Sequence, residues 1–126
     1  MKTISTTQAP AALGPYAQAL EANGFLFISG QIPLDPDTGE IVSEDAGIQT
    51  DRCLKSLQAI LSEAGSVLED VVKCVIYISD LNDFDAVNKV YGGFFSNHKP
   101  ARACVEVARL PKDVKIEIDA IAVVNH

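Results

Sequence analysis

The 126-residue sequence has no Trp, one Met, two His and three Cys. Cys53, Cys74 and Cys104 are odd in number, lie far apart and form no CxxC. That argues against a disulfide framework and for reduced thiols in a cytosol. His98 and His126 show no metal-ligand spacing, which argues against a zinc site. Basic residues are also few: 10 Lys and Arg stand against 17 Asp and Glu, for a net charge of −7. This acidity argues against general binding to nucleic acid or anionic membranes, both of which need a positive surface field. Long apolar runs are missing too. The longest, Val71 to Ile78, is interrupted by Lys73 and is far too short to span a bilayer. The segment MKTISTTQAPAALG has one Lys and no apolar core, so it reads neither as a secretory signal nor as a transit peptide. We expect a cytoplasmic protein with no membrane partner.

Several chemical signatures are absent. No Walker A or GxGxxG sequence occurs. A Ser-His-Asp triad has no GxSxG elbow to support it. Two acidic loops imitate calcium sites and fail. Asp35-x-Asp37 has Glu40 where the loop needs Gly and Ala46 where it needs Glu, and Asp80-x-Asn82 has Phe84 and Asp85 at its fifth and sixth positions. Cys104 and His98 form a conceivable nucleophile and base, but a buried thiol is the commoner fate of a strand Cys.

What is present is a chain 48% hydrophobic, which excludes disorder and supports one domain over residues 1–126. Tyr16–Leu20 and Phe25–Ser29 flank Asn23-Gly24, a hairpin signal. Asp35-Pro36-Asp37-Thr38-Gly39 is turn chemistry. Ile48, Leu54, Leu57, Leu61 and Ala64 recur on one helical face, with Gly65 as the stop. Val71–Ser79 reads as a strand buried on both sides. Asn82 can cap a second helix whose inner face holds Phe84, Val87, Tyr91, Phe94 and Phe95, with Asp83 and Asp85 favoured in its first turn. Gly92-Gly93 inside it costs roughly 1 kcal/mol per Gly, so close packing or an early end is expected there. Arg102–Ala108 and Lys115–Val123 read as closing strands.

The order β-β-α-β-α-β-β predicts an α+β fold, with two helices able to cover only one face of the sheet. In the last strand Ile116, Ile118 and Ala120 face one way, and Glu117, Asp119, Ile121 and Val123 the other. The second face is mixed but too apolar to leave wet, which predicts a homo-oligomer; a monomer with an apolar surface is the alternative. Alternation also puts Arg102, Cys104 and Glu106 on one side of their strand. An Arg and a carboxylate, Arg102 and Glu117, on the polar sides of two late strands suit a small anionic substrate, the Arg as a bidentate clamp and the Glu as a proton carrier. From spacing alone, an ordinary surface or interface ion pair is the commoner outcome. Tyr16, after Gly14-Pro15, is open to packing or to function.

Four segments carry a resemblance: APAALGPYAQA (9–19), FISGQIPLDPDTGE (27–40), DLNDFDAVNKVY (80–91) and PARACVEVARLPKDVKIEIDAIAV (100–123). They resemble the RidA/YjgF reactive-intermediate deaminase family, and the RidA subgroup within it through Arg102 of the PAR block. The resemblance implies a chorismate-mutase-like fold, a mixed sheet with two helices on one face, and a homotrimer around a central barrel. It implies hydrolysis of 2-imino and 2-enamino acids, such as 2-aminoacrylate and 2-iminobutanoate, to 2-keto acids and ammonia in clefts between subunits. That chemistry protects pyridoxal-phosphate enzymes from reactive intermediates. Neither metal nor cofactor is implied, because a protonated C=N is already electrophilic. Arg102 is then the carboxylate clamp and Glu117 the residue acting on water. Tyr16, Gly30 and Cys104 shape the substrate pocket, with the Cys104 backbone more important than its thiol. Asn88 and Pro100 match positions near the cleft. Ala17 and Ala103 stand where the family commonly has Ser, Asp119 where it commonly has Glu, and Gly92-Gly93 where better helix formers are usual. Two other activities fit the resemblance: a regulatory module that binds small carboxylates, and the ribonuclease or translation-inhibitor role ascribed to some relatives. The net charge opposes the last.

Overall fold

A computed structural model describes residues 1–124. His126 lies outside the described residues. The strands are β1 (Lys2–Ile4), β2 (Ala19–Ala22), β3 (Phe25–Gln31), β4 (Val71–Ile78), β5 (Ala101–Glu106) and β6 (Ile116–Val123), and the helices are α1 (Ala46–Glu63) and α2 (Phe84–Phe94). They form one mixed sheet in the order β1-β2-β3-β6-β4-β5. Among the described residues only β4 and β5 pair in parallel, joined through α2. This is the expected α+β arrangement, with β1 added at one edge. Among the described residues no helix is long and apolar enough to cross a membrane.

Local chemistry explains most of the boundaries. Asn23 (φ 53°) and Gly24 (φ 81°) form the left-handed turn that joins β2 to β3, the geometry that matches strand twist in a two-residue hairpin. The first strand of this hairpin, β2, starts at Ala19 and not at Tyr16. Gly14-Pro15 turns the chain, with Tyr16 N donating to Gly14 O at 2.8 Å. Buried Gln18 then staples the preceding loop, accepting from Thr6 N (2.8 Å) and donating to Pro10 O (2.9 Å). Asp35 caps its own turn, accepting from Asp37 N at 2.8 Å.

Asp45 accepts from Ile48 N at 2.9 Å and begins α1. The helix buries Cys53, Leu54, Leu57, Ile60 and Leu61 against the sheet. Ile48, expected on that face, is 51% exposed, because the buried stripe runs through Ala46, Gln49 and Thr50 in that turn. At the far end Gly65 (φ 78°) reverses the chain, with Ser66 N donating to Leu61 O and Gly65 N to Ser62 O, a Schellman closure. Buried Gln49 donates to Ser43 O and accepts from Lys115 N, both at 2.8 Å. It thereby ties the approach to α1 to the start of β6.

The expected Asn82 cap is replaced. Asp80 accepts from Asn82 N at 2.9 Å, and a short 3-10 turn at Leu81–Asp83 precedes α2. Val87, Tyr91 and Phe95 are buried beneath it, with Phe94 partly so. Gly92 and Gly93 are exposed, and a side chain at either would meet nothing within 4 Å. They mark the approach to the helix end, not a packing contact.

Both helices lie on one sheet face. Leu26, Ile28, Cys74, Ile76, Ile78, Ile116, Ile118 and Ala120 are buried beneath them. On the other face Phe25 and Phe27 are 42% and 46% exposed, and Val75, Tyr77, Ile121 and Val123 are half-buried. Within one chain β4 is therefore buried on one side only, contrary to the two-sided expectation. A register shift between Val71 and Lys73 lets Val71 and Cys74 both face the core.

Replacing Gly92 by Ala should stabilise the protein by about 0.5–1 kcal/mol. Gly65→Ala, forced into the left-handed region, should destabilise it by about 1 kcal/mol. Urea unfolding of the two variants beside the parent checks both signs.

Candidate functional site

Two groups of polar residues stand out, on opposite faces of the sheet. The first surrounds Glu117. This residue lies on the open face, paired across to Tyr77 of β4. On its other side β3 shifts register between Ile28 and Gln31 and brings Gly30 against the carboxylate. A Cβ at position 30 would lie only 2.8 Å from Glu117 Cδ, so glycine here is required by close approach. A cleft of about 510 Å³ opens beside them, lined by Pro15, Tyr16, Ser29, Gly30, Ile32 and Glu117 among others.

Burial raises the pKa of Glu117 first, and neighbouring Asp119 raises it further. Tyr77 Oη donates to Asp119 Oδ2 at 3.0 Å. The Tyr16 hydroxyl accepts from Leu13 N at 3.1 Å, which leaves its own proton free to donate into the cleft. Here a carboxylate with a raised proton affinity stands beside a hydroxyl donor and apolar walls, a setting suited to moving a proton to or from water.

The second group surrounds Arg102 on edge strand β5. Arg102 pairs with Cys74 and lies on the helix side. Its guanidinium rests on α2: Nη1 donates to Asn88 Oδ1 at 2.6 Å. Its Cζ lies 4.9 Å from the Tyr91 ring centre and 5.7 Å from that of Phe84. Phe84, Asn88 and Tyr91 follow i, i+4, i+7 spacing, so one helix face supplies the whole cradle. The remaining guanidinium N–H groups stay available to a planar carboxylate.

Cys104 follows on the same side of β5, partly buried, its thiol pushed up by burial against a smaller opposing effect of Arg102. His98 Nε2 donates to Val71 O at 2.6 Å. Among the described residues no hydrogen bond joins Cys104 to His98, and the thiol is not activated. Glu106, also on this side, accepts from Leu81 N at 2.9 Å and secures the turn before α2. Among the described residues no group of three His, Cys, Asp or Glu could hold a metal ion.

The structure thus brings Tyr16, Gly30 and Glu117 together and separates them from Arg102 and Cys104. On β4, Cys74 pairs with Arg102 and Tyr77 with Glu117. These anchors are three positions apart along the strand, an odd number, so their side chains emerge on opposite faces. Sequence reasoning missed Phe84 and Tyr91 as ring partners of Arg102, having placed them in the core. Their spacing with Asn88 was the available signal. A larger groove of about 710 Å³ between the helices contains neither Arg102 nor Glu117.

Gly30→Ala should leave the fold intact, because the clashing atoms belong to the end of a flexible side chain, and should displace the Glu117 carboxylate. Carbon-13 NMR of labelled Glu side chains should show a moved Glu117 resonance. An unchanged one would contradict the cradle.

The comparisons with known proteins cover nearly the same length. A RutC family protein of Pyrococcus abyssi is 54% identical over 121 residues, covering 96% of this chain and 95% of that one. A 2-iminobutanoate/2-iminopropanoate deaminase of Salmonella typhimurium is 53% identical over 125 residues, covering 97% of each. The crystal structure of E. coli TdcF with bound serine matches with a TM-score of 0.93 at 48% identity, covering 98% of each chain. The family described as Endoribonuclease L-PSP matches residues 6–124. With a family model matched over residues 6–124 and relatives more than 50% identical over nearly the whole chain, the chain belongs to the RidA/YjgF family, the Endoribonuclease L-PSP group of that match.

Proposed function

We propose that this protein is a cofactor-free deaminase that hydrolyses 2-imino and 2-enamino acids, such as 2-iminobutanoate and 2-aminoacrylate, to 2-keto acids and ammonia. In this reading residues 1–126 act as one RidA-like domain, and the working unit is a homotrimer closed around a central barrel. The observation that carries it is the division of the site. Glu117, Tyr16 and Gly30 line a cleft on one sheet face, while Arg102 and Cys104 lie on the other. A second copy that packs its β5 edge against the open face can bring its Arg102 to the Glu117 cleft, so each site belongs to two subunits. The exposed Phe25 and Phe27 of the open face then become interface.

The chemistry follows from these groups. The guanidinium, already oriented by Asn88 and the α2 rings, clamps the substrate carboxylate and fixes the iminium carbon near Glu117. Glu117 takes a proton from water as its oxygen attacks that carbon, and the C=N π pair moves onto nitrogen. The resulting carbinolamine receives the proton from Glu117 on its nitrogen. Glu117, a carboxylate again, then takes the remaining hydroxyl proton as the C–N bond breaks, releasing ammonia and the 2-keto acid. A carboxylate with raised proton affinity suits both halves of this exchange. Tyr16 donates to the substrate or the water, and the Cys104 backbone lines the carboxylate end. Removing such intermediates would protect pyridoxal-phosphate enzymes from them.

The relative from Salmonella typhimurium bears the name of this activity, and serine, bound in the related TdcF structure, is a small molecule with the same carboxylate group. The family description names an endoribonuclease, but a net charge of −7 disfavours a polyanion.

In an assay coupled to a threonine dehydratase, the protein should shorten the lag before 2-ketobutyrate appears. Arg102→Ala should cut that effect roughly 100-fold or more, and Arg102→Lys should not restore it, because Lys lacks the planar fork. Carboxylate binding without turnover would instead favour a regulatory module. RNA cleavage that survived repurification and needed Arg102 would favour the nuclease reading.

Light scattering should give three times the chain mass. Phe27→Asp should lower the mass toward the single chain and abolish turnover together. Full activity in a monomer would overturn the shared site.

A further inference from the structure

Glu117 does not stand alone on the open face. Asp119 follows two residues along β6 and therefore shares its face. Tyr77 lies on β4 directly across from Glu117, yet its hydroxyl passes Glu117 by and donates to Asp119 Oδ2 at 3.0 Å. Neither residue lines the Glu117 cleft. We propose that Asp119 and Tyr77 are positioning residues for Glu117: Asp119 sets a second negative charge beside it, and Tyr77 fixes and partly shields that charge through its hydrogen bond. The inference rests on the reading above, in which Glu117 carries the proton.

A proton carrier must both accept and release within one turnover, which favours a proton affinity closer to the working pH than an ordinary carboxylate has. Burial and Asp119 both act in that direction on Glu117. Tyr77 opposes the second effect, because a hydrogen bond to the Asp119 oxygen draws off part of its negative charge. The two residues therefore act with opposite sign on one group.

The other titratable groups around Glu117 are few. Lys115 immediately precedes β6 and donates to Glu44 O at 2.6 Å. Lys73 lies farther along β4 on the same face. Tyr16 stands across the cleft, and Cys53 of α1 lies beneath, its thiol pushed up by burial and then by Glu117. Lys112 and Asp113 follow Pro111 at the cleft rim, with Asp113 bonded to Arg109 at 3.1 Å. All are unchanged in the variants below, so none alters the expected signs.

The test is a carbon-13 titration of Glu side-chain carboxyls in the ligand-free full chain, with Glu117 assigned by its loss in Glu117→Gln. Asp119→Asn should move the Glu117 midpoint down, Tyr77→Phe should move it up, and Asp119→Glu should restore it toward the parent. An unmoved or raised midpoint in Asp119→Asn, or both variants shifting the same way, would overturn the proposal. Loosened packing would not produce opposite shifts. The coupled assay is run separately. Its acid limb should follow the same order, and limbs that stay fixed while the midpoints move would also overturn the proposal. A parent protein without turnover but with the expected midpoints would refute the deaminase reading alone.

Discussion

The pairing register of β4 with its two neighbours is the constraint from which the rest follows. β4 holds β6 on one side and β5 on the other, antiparallel and parallel respectively. Strand pleating allows each residue only one face. Once Cys74 meets Arg102 and Tyr77 meets Glu117, the cation and the carboxylate are committed to opposite faces. A slip of one residue in either pairing would reverse a whole strand. The buried row Cys74, Ile76 and Ile78 beneath the helices makes that slip costly, so the hydrophobic core is also what divides the site.

Each half is then held by its own scaffold. α2 presents two rings and an amide to Arg102, so a long, flexible side chain is ordered before any ligand arrives. Ordering of this kind reduces the entropy lost on binding. Glu117 is held differently, by the absence of a side chain at Gly30 and by the bulge that brings β3 close. Gln18 and Gln49, both buried and hydrogen-bonded, anchor the loop that carries Tyr16 and the start of β6. The polar interior is thus spent on placing the cleft.

Electrostatics complete the picture. On a chain of net charge −7, Arg102 is a local positive point suited to a small anion and not to a polymer of phosphates. Glu117 lies in the opposite setting, half-buried near Asp119, where its charged form is disfavoured. The three thiols contribute little to either. Burial pushes the Cys74 thiol up to about 11, and Cys53 and Cys104 move in the same direction.

Much of this was legible in the residues themselves. Asn23-Gly24, Asp35-Pro36 and Gly65 dictated turns because their backbone chemistry acts within a few residues. The alternation from Ile116 to Val123 named the two faces of β6 without any partner. Errors arose where a neighbouring residue offered a better partner or a distant segment intervened. Asp80 took the cap from Asn82, and Ile48 turned outward because the core stripe ran one position away. β4 looked two-sided because its composition cannot say whether a second layer belongs to the same chain. Sequence by itself determined which strand faces carry Arg102, Cys104 and Glu117, since alternation is a local property. Only tertiary structure decided that Arg102 rests on α2 while Glu117 lies under Gly30. Strand register and the bulge in β3 arise from contacts between segments far apart in the chain.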